Sequence, residues 1–106
     1  MSRTNTWDAK PVYRFFQGQT MEMFYRSHVA KALNREIGTI RSMERKGILC
    51  TPQMQEPRGR WLYTRDQIED LISLAKEEGV LDPRYRNAFS QRFTDEAHII
   101  LSRYPK

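Results

Sequence analysis

The chain has 106 residues, of which 39% are hydrophobic and 29% are charged, and its formal net charge at pH 7 is +5. This length allows one small domain with a modest core, and the positive balance favours an anionic partner. The lone cysteine, Cys50, excludes an intramolecular disulfide. No apolar run approaches the roughly 18 residues of a membrane helix, and the N-terminus lacks the apolar segment of a signal peptide. We therefore expect a cytoplasmic location and no membrane partner.

The first part of the chain predicts a flexible N-terminus over residues 1–10, with Trp7 as a candidate local anchor, followed by a β-hairpin. Residues 12–16 and 21–25 are apolar and aromatic, and Gly18 between them can adopt the positive φ that a tight turn needs. We expect this hairpin to pair with strands further along the chain and complete a small sheet. A contact between two copies of the chain is the alternative.

The next stretch predicts a short helix whose apolar side carries Val29, Ala30 and Leu33. Ser27 precedes it as the expected N-cap, because a serine hydroxyl can accept a hydrogen bond from a free backbone N–H. Asn34 ends the pattern, and asparagine tolerates the left-handed backbone that a tight turn needs.

A second helix is predicted over residues 37–46, with Ile37, Ile40 and Met43 facing inward at three-residue steps. Gly47 follows as the expected C-terminal cap. Two short helices joined by so tight a turn predict a helix-turn-helix.

The outer face of this second helix carries a polar stripe. Gly38, Arg41, Ser42 and Arg45 lie at steps of three and four residues and therefore share one side. Small side chains would let the helix approach a surface closely, and arginines can reach phosphate oxygens or a guanine edge. A solvated helix face is the competing interpretation.

A basic hairpin follows, which we call the wing and place at residues 53–63. Gly59 stands between Arg58 and Arg60, before the segment Trp61-Leu62-Tyr63, and this order predicts the tip of a β-hairpin and its returning strand. A basic tip beside a basic helix supplies two contact points for one polyanion.

The remainder predicts two helices joined by a connector. A third helix begins at residue 64 or 65 and ends at Gly79, with Ile68, Leu71, Ile72 and Ala75 facing inward. A connector follows, and a last helix is predicted over residues 88–103. Its apolar stripe packs on the domain or pairs with its copy in a dimer. The members of that stripe are Phe89, Phe93, Ala97, Ile100 and Tyr104.

Charge is concentrated where these motifs lie. Residues 25–65 contain nine Lys/Arg against three Glu, a balance of +6, whereas residues 66–79 contain one Lys against five Asp/Glu, a balance of −4. Such an asymmetric distribution is typical of a nucleic-acid footprint.

The sequence carries no recognisable catalytic or metal-binding motif. It contains no glycine-rich phosphate loop followed by Lys, no Cys-x-x-Cys and no His-Glu-x-x-His. His28 and His98 have no evident catalytic partners, and His28 is expected at the surface. Cys50 is expected to be a small half-buried side chain. We therefore expect neither an enzyme nor a bound cofactor or metal.

Residues 24–79 resemble the winged helix-turn-helix of the MerR family. The resemblance rests on Thr39-Ile40-Arg41, Met43-Glu44, Gly47-Ile48 and Gly59-Arg60-Trp61-Leu62-Tyr63, with Asp66, Ile68 and Leu71 after them. It implies that Arg41 and Tyr63 hold DNA phosphates and that Gly38, Thr39 and Ser42 face the major groove. Arg60 is the expected wing contact, with Arg58 as the alternative. Small relatives of this kind include phage excisionases and phage-encoded regulators.

These observations predict an α+β fold, mainly α. The winged helix-turn-helix with its N-terminal hairpin would span residues 11–79, with the connector and C-terminal helix over residues 80–106. The expected function is sequence-specific binding of double-stranded DNA by a transcription regulator. A DNA-bending excisionase and a protein-interaction module are the alternatives. Partners left open are a homodimer through the C-terminal helix or the N-terminal hairpin, RNA polymerase and an integrase. The expected DNA contacts are Arg35, Gly38, Thr39, Arg41, Ser42, Arg45, Arg58, Arg60 and Tyr63.

Overall fold

A computed structural model describes residues 7–82 and 89–103. Four strands and four helices follow one another in the order β1 Val12–Phe16, β2 Gln19–Phe24, α1 Arg26–Ala32, α2 Ile37–Arg45, β3 Met54–Gln55, β4 Trp61–Thr64, α3 Arg65–Glu78 and α4 Gln91–Leu101. The antiparallel sheet has the strand order β1-β2-β4-β3. This confirms the predicted α+β class and the winged helix-turn-helix.

The N-terminal hairpin joins the wing in one sheet, as predicted. β1 pairs with β2 through a turn at Gln17 and Gly18, and β2 pairs with β4 where Phe24 lies opposite Tyr63. The two outer strands approach each other across a groove of about 600 Å³, whose lining includes Phe16 of β1 and Met54 of β3. The sheet therefore curls, and the hairpin lies against the wing.

The first helix begins differently from the prediction. It starts at Arg26 with Tyr25 as the N-cap, so Ser27 lies inside the helix and does not cap it. His28 replaces the expected serine: its Nδ1 accepts the Tyr25 N–H at 2.9 Å and its Nε2 donates to the Ala9 carbonyl at 2.9 Å. His28 is therefore buried rather than at the surface, because its ring satisfies the free N–H at the start of the helix from within.

Both helices of the helix-turn-helix end in the same backbone motif. Asn34 has a φ of 58° and Gly47 a φ of 81°, and the next residue in each case donates back across the last turn. The Arg35 N–H bonds to the Ala30 carbonyl and the Ile48 N–H to the Met43 carbonyl, both at 2.9 Å. This is the Schellman arrangement, and it confirms the predicted role of Asn34 in the turn.

The core lies between the sheet and the helices. It contains Phe24, Val29, Leu33, Ile40, Met43, Tyr63, Ile68, Leu71, Phe93, Ala97 and Leu101. Trp7 also packs into it, with its ring centroid 4.9 Å from that of Phe24, so this part of the predicted flexible N-terminus is anchored. Ile37 departs from the prediction: it remains 37% exposed, because each three-residue step turns the helix by about 300° and places Ile37 at the edge of the buried stripe.

The last helix packs on its own domain. α4 begins at Gln91 with Ser90 as its N-cap, and the predicted earlier start at Ala88 lies outside the described residues, as does Tyr104. Phe93, Ala97 and Ile100 are buried, and Gln67 of α3 donates to the Arg103 carbonyl at 3.0 Å. This is the first of the two arrangements that the apolar stripe allowed. Within the described residues, no helix combines the length and hydropathy needed to span a membrane.

Candidate nucleic-acid interface

The helix α2 is fixed on one side and open on the other. Ile40 and Met43 are buried, which holds the helix against the core. The predicted contact residues lie on the opposite side: Gly38, Thr39, Arg41 and Arg45 are exposed and Ser42 is half-buried. Lys46 is exposed one residue beyond the helix. The stripe predicted from spacing is therefore a surface feature of the folded domain.

Arg41 and Arg45 differ from most arginines of this domain because they carry no internal partner. Neither guanidinium makes an ion pair or hydrogen bond with any residue in the described ranges 7–82 and 89–103. All their N–H donors are thus available to an external acceptor. Paired donors on a planar guanidinium suit a phosphate or a guanine edge.

The wing is a short hairpin whose tip is held by backbone bonds. Glu56 N–H donates to the Arg60 carbonyl at 2.7 Å, and Gly59 N–H donates to the Glu56 carbonyl at 2.8 Å. Gly59 has a φ of 104°, a conformation that residues with a Cβ rarely adopt. Arg58 and Arg60 both project from this tip and are exposed, so the two candidate wing contacts lie together.

Arg60 has a defined resting place. Its guanidinium carbon lies 4.5 Å from the centre of the Tyr25 ring. The Tyr25 hydroxyl donates to Glu56 Oε2 at 3.0 Å, and Arg14 Nε donates to the same oxygen at 2.9 Å. Partial burial favours the neutral acid, but the hydrogen bonds from Arg14 and Tyr25 outweigh it and hold the pKa of Glu56 below its usual value.

The structure does not place Tyr63 at the surface, where the resemblance implied a phosphate contact. It is only 1% exposed, and its hydroxyl donates to Glu44 Oε2 at 3.4 Å. Burial and the neighbouring Glu44 raise the pKa of this phenol. Glu44 in turn accepts two bonds from Arg26, at 2.8 and 3.1 Å. Tyr63 therefore supports α2 from behind, because the side chain lies on the face of β4 that packs against the core.

Arg35, another predicted DNA contact, is half-buried and bonded within the fold. Its Nη2 donates to the Val80 carbonyl at 2.6 Å and its Nη1 to the Leu33 carbonyl at 3.0 Å. The guanidinium also lies 5.5 Å from the centre of the Phe89 ring, and burial lowers its pKa. Arg35 ties the turn of the helix-turn-helix to the segment after α3, and both of its terminal nitrogens already donate to main-chain carbonyls.

The side chains that support the candidate interface could not be recognised from the sequence. Arg14, Tyr25 and Glu56 form one group although 42 positions separate the first from the last, and Arg26 meets Glu44 across 18 positions. No local pattern links such pairs. The one available signal was the prediction that the N-terminal hairpin joins the wing, which would bring Arg14 near the wing. In the described part of the chain, no group of His, Cys, Asp and Glu residues could hold a metal ion.

The geometry defines a winged helix-turn-helix: two helices joined by a left-handed turn, with an exposed outer face on the second and a basic hairpin after it. Residues 26–76 match the family model described as MerR HTH family regulatory protein. This match supports a MerR-like helix-turn-helix domain in this segment, in agreement with the resemblance seen in the sequence. The match begins at α1 and includes α2, the wing and most of α3, and it omits the hairpin β1–β2 and α4. Comparisons with curated proteins and with solved structures gave no match.

Proposed function

We propose that this protein is a sequence-specific double-stranded DNA-binding transcription regulator. In this proposal α2 enters the major groove and the wing contacts the neighbouring backbone, the geometry that winged helix-turn-helix proteins use. The observation that carries the proposal is the open outer face of α2, where Arg41 and Arg45 lack internal partners among the described residues. The MerR-like match over residues 26–76 supports the same class.

The two elements would have different tasks. Gly38, Thr39 and Ser42 leave room for α2 to approach base edges, while Arg45 offers paired donors for direct reading. Arg58 and Arg60 on the wing would neutralise phosphates, which fix orientation but carry no sequence information directly. This division predicts that losses on α2 change sequence preference and that losses on the wing weaken all sequences alike.

A second copy would raise specificity, because one reading helix covers few base pairs and genomic sites compete in large numbers. Phe93, Ala97 and Ile100 of the apolar stripe are buried within the domain, whereas Tyr13 and Phe15 of β1 are exposed, the latter to 75%. Homodimerisation would therefore use the N-terminal hairpin rather than the C-terminal helix.

The test is selection from a random duplex DNA library at near-physiological salt, followed by sequencing, for the native protein and for Arg45→Ala. Arg103→Ala is a control, since it removes the same charge from a side chain that pairs with Asp70 at 2.8 Å. We expect a motif enriched by the native protein and the control and relaxed in Arg45→Ala, with a loss of about 1–3 kcal/mol at the contacted base. A palindrome or repeat in the motif would support the dimer.

Other results would change the proposal. A bound but unenriched pool would indicate binding through the backbone and bending of DNA, as an excisionase working with an integrase requires. Absence of binding would indicate a protein-interaction module. If an enriched motif is found, footprinting on a promoter with RNA polymerase tests the regulatory role, and no change in polymerase occupancy would contradict it.

A further inference from the structure

A chain of contacts runs from the N-terminal hairpin to the wing. Arg14 on β1 donates through Nε and Nη2 to Glu56 Oε2, and its Nη2 also lies 3.3 Å from the Tyr25 hydroxyl. Tyr25 donates to Glu56 and offers its ring to Arg60. The hairpin that the family match omits is thus linked to a candidate DNA contact through two intermediate side chains.

Glu56 holds Arg60 in two ways. Its backbone N–H donates to the Arg60 carbonyl at 2.7 Å, which fixes the main chain of the wing. Its carboxylate fixes the Tyr25 hydroxyl, and the Tyr25 ring receives the Arg60 guanidinium. A guanidinium stacked on an aromatic face keeps its N–H edges free for a phosphate. Ordering it before binding reduces the entropy that association costs.

We propose that Arg14 is a positioning residue for the wing: acting through Glu56 and Tyr25, it holds Arg60 against the Tyr25 ring in the orientation that meets a DNA phosphate. This inference rests on the proposed function. It assigns the N-terminal hairpin a part in DNA binding without placing it on the DNA.

The electrostatics explain why Arg14 is needed. Glu56 is a carboxylate whose ionised form is favoured by both Arg14 and Arg60. With Arg14 bonded to it, the carboxylate is satisfied and Arg60 can remain on the ring. Without Arg14, Glu56 would attract Arg60 as its remaining cation, and that pairing would compete with the phosphate. The loss should therefore be partly reversed when Glu56 is also neutralised.

A double-mutant cycle in DNA affinity tests the coupling. Arg14→Gln, Arg60→Ala and the double variant are compared with Arg103→Gln, which removes the same charge from an exposed ion pair elsewhere on the domain. We expect Arg14→Gln to weaken binding about two- to fivefold, the range of an exposed cation–π contact, and to have no effect when Arg60 is already Ala. Arg14→Lys and the pair Arg14→Gln with Glu56→Gln should each recover part of the loss. Equal effects of Arg14→Gln in both backgrounds would overturn the proposal.

A measurement on the free protein separates this inference from the proposed function. The side-chain proton signals of Arg60 should be displaced upfield by the Tyr25 ring in the native protein and in Arg103→Gln, and should return toward the ordinary position in Arg14→Gln. Thermal unfolding of each variant confirms that it is folded. If Arg41→Ala weakens DNA binding while Arg14→Gln moves neither the signal nor the affinity, DNA binding stands and the positioning role is refuted.

Discussion

Arginines lie on both the outer face of α2 and the back of the same helix-turn-helix, but only those at the back are bonded within the fold. On the outer face, Arg41 and Arg45 make no ion pair or hydrogen bond within the described chain. At the back, Arg26 makes two bonds to Glu44, and Arg35 donates to main-chain carbonyls. At the start of α3, Arg65 bonds to Glu22 through two nitrogens and to Asp8 at 3.1 Å.

This difference shows that the net positive charge of a segment overestimates the number of side chains that are free to bind DNA phosphates. A guanidinium can bind a phosphate only with donors that are not already used, and replacing an internal acceptor costs the hydrogen bonds it made. Three of the arginines counted in the basic segment are committed to the fold. Among the described residues, the positive charge that makes no internal ion pair or hydrogen bond is therefore concentrated at α2 and the wing: Arg41 and Arg45 on α2, Lys46 directly after it, and Arg58 and Arg60 on the wing are exposed.

The largest effect that would sharpen this comparison concerns Tyr63. Because its side chain is buried, Tyr63→Ala should lower the free energy of unfolding by about 3–5 kcal/mol, the cost of removing a large buried ring. Tyr63→Phe keeps the ring, loses only the bond to Glu44 and should cost about 1 kcal/mol. Denaturant unfolding measures both. A Tyr63→Phe protein of native stability that binds all DNA sequences much more weakly would restore the phosphate role.

Arg35 provides the next test. Arg35→Ala should lower the free energy of unfolding by about 1.5–3 kcal/mol, because hydrogen bonds from a charged donor to the Val80 and Leu33 carbonyls are lost. Arg41→Ala is the matched control and should change stability by less than about 0.5 kcal/mol. Denaturant unfolding of the two variants side by side decides. Equal stability of the two variants would show that the internal bonds of Arg35 do not stabilise the fold, contrary to the contrast with Arg41.

A smaller effect is expected at the wing. Arg60→Ala should weaken binding to specific and non-specific duplexes alike and reduce the slope of log affinity against log salt by about one unit. Titrations of both duplexes at several salt concentrations measure this. Arg58→Ala serves as the neighbouring comparison, since both side chains are exposed at the same tip. A change confined to the specific duplex would mean that Arg60 reads bases.

The smallest effect concerns Cys50. Partial burial raises the pKa of its thiol, so less reactive thiolate is present at a given pH than for a free cysteine. We expect alkylation of the native protein at pH 8 to be slower than that of a cysteine peptide and to accelerate in denaturant. Mass spectrometry over time gives both rates. A native rate equal to that of the peptide would show that the side chain is open to solvent.

Much of the architecture followed from local patterns in the sequence. The signals that predicted it depend only on neighbouring residues. They are the three-residue step from Ile40 to Met43, Asn34 at a left-handed turn, and Gly59 between two arginines. For that reason the two helices, the turn and the wing could be predicted, together with the exposed stripe on α2. Steps of three and four residues determine which side chains share a helix face, whatever the rest of the chain does.

The tertiary structure decided which polar side chains remain free. Tyr63 and Arg35 were both predicted as DNA contacts, yet Tyr63 faces the core and Arg35 bonds to the segment after α3. His28 is buried, and both nitrogens of its ring are hydrogen-bonded to the main chain. Arg14 reaches the wing through a carboxylate 42 positions away. Hydrogen bonds and burial depend on which residues the fold brings together. Local spacing in the sequence therefore cannot predict contacts between residues that are far apart along the chain.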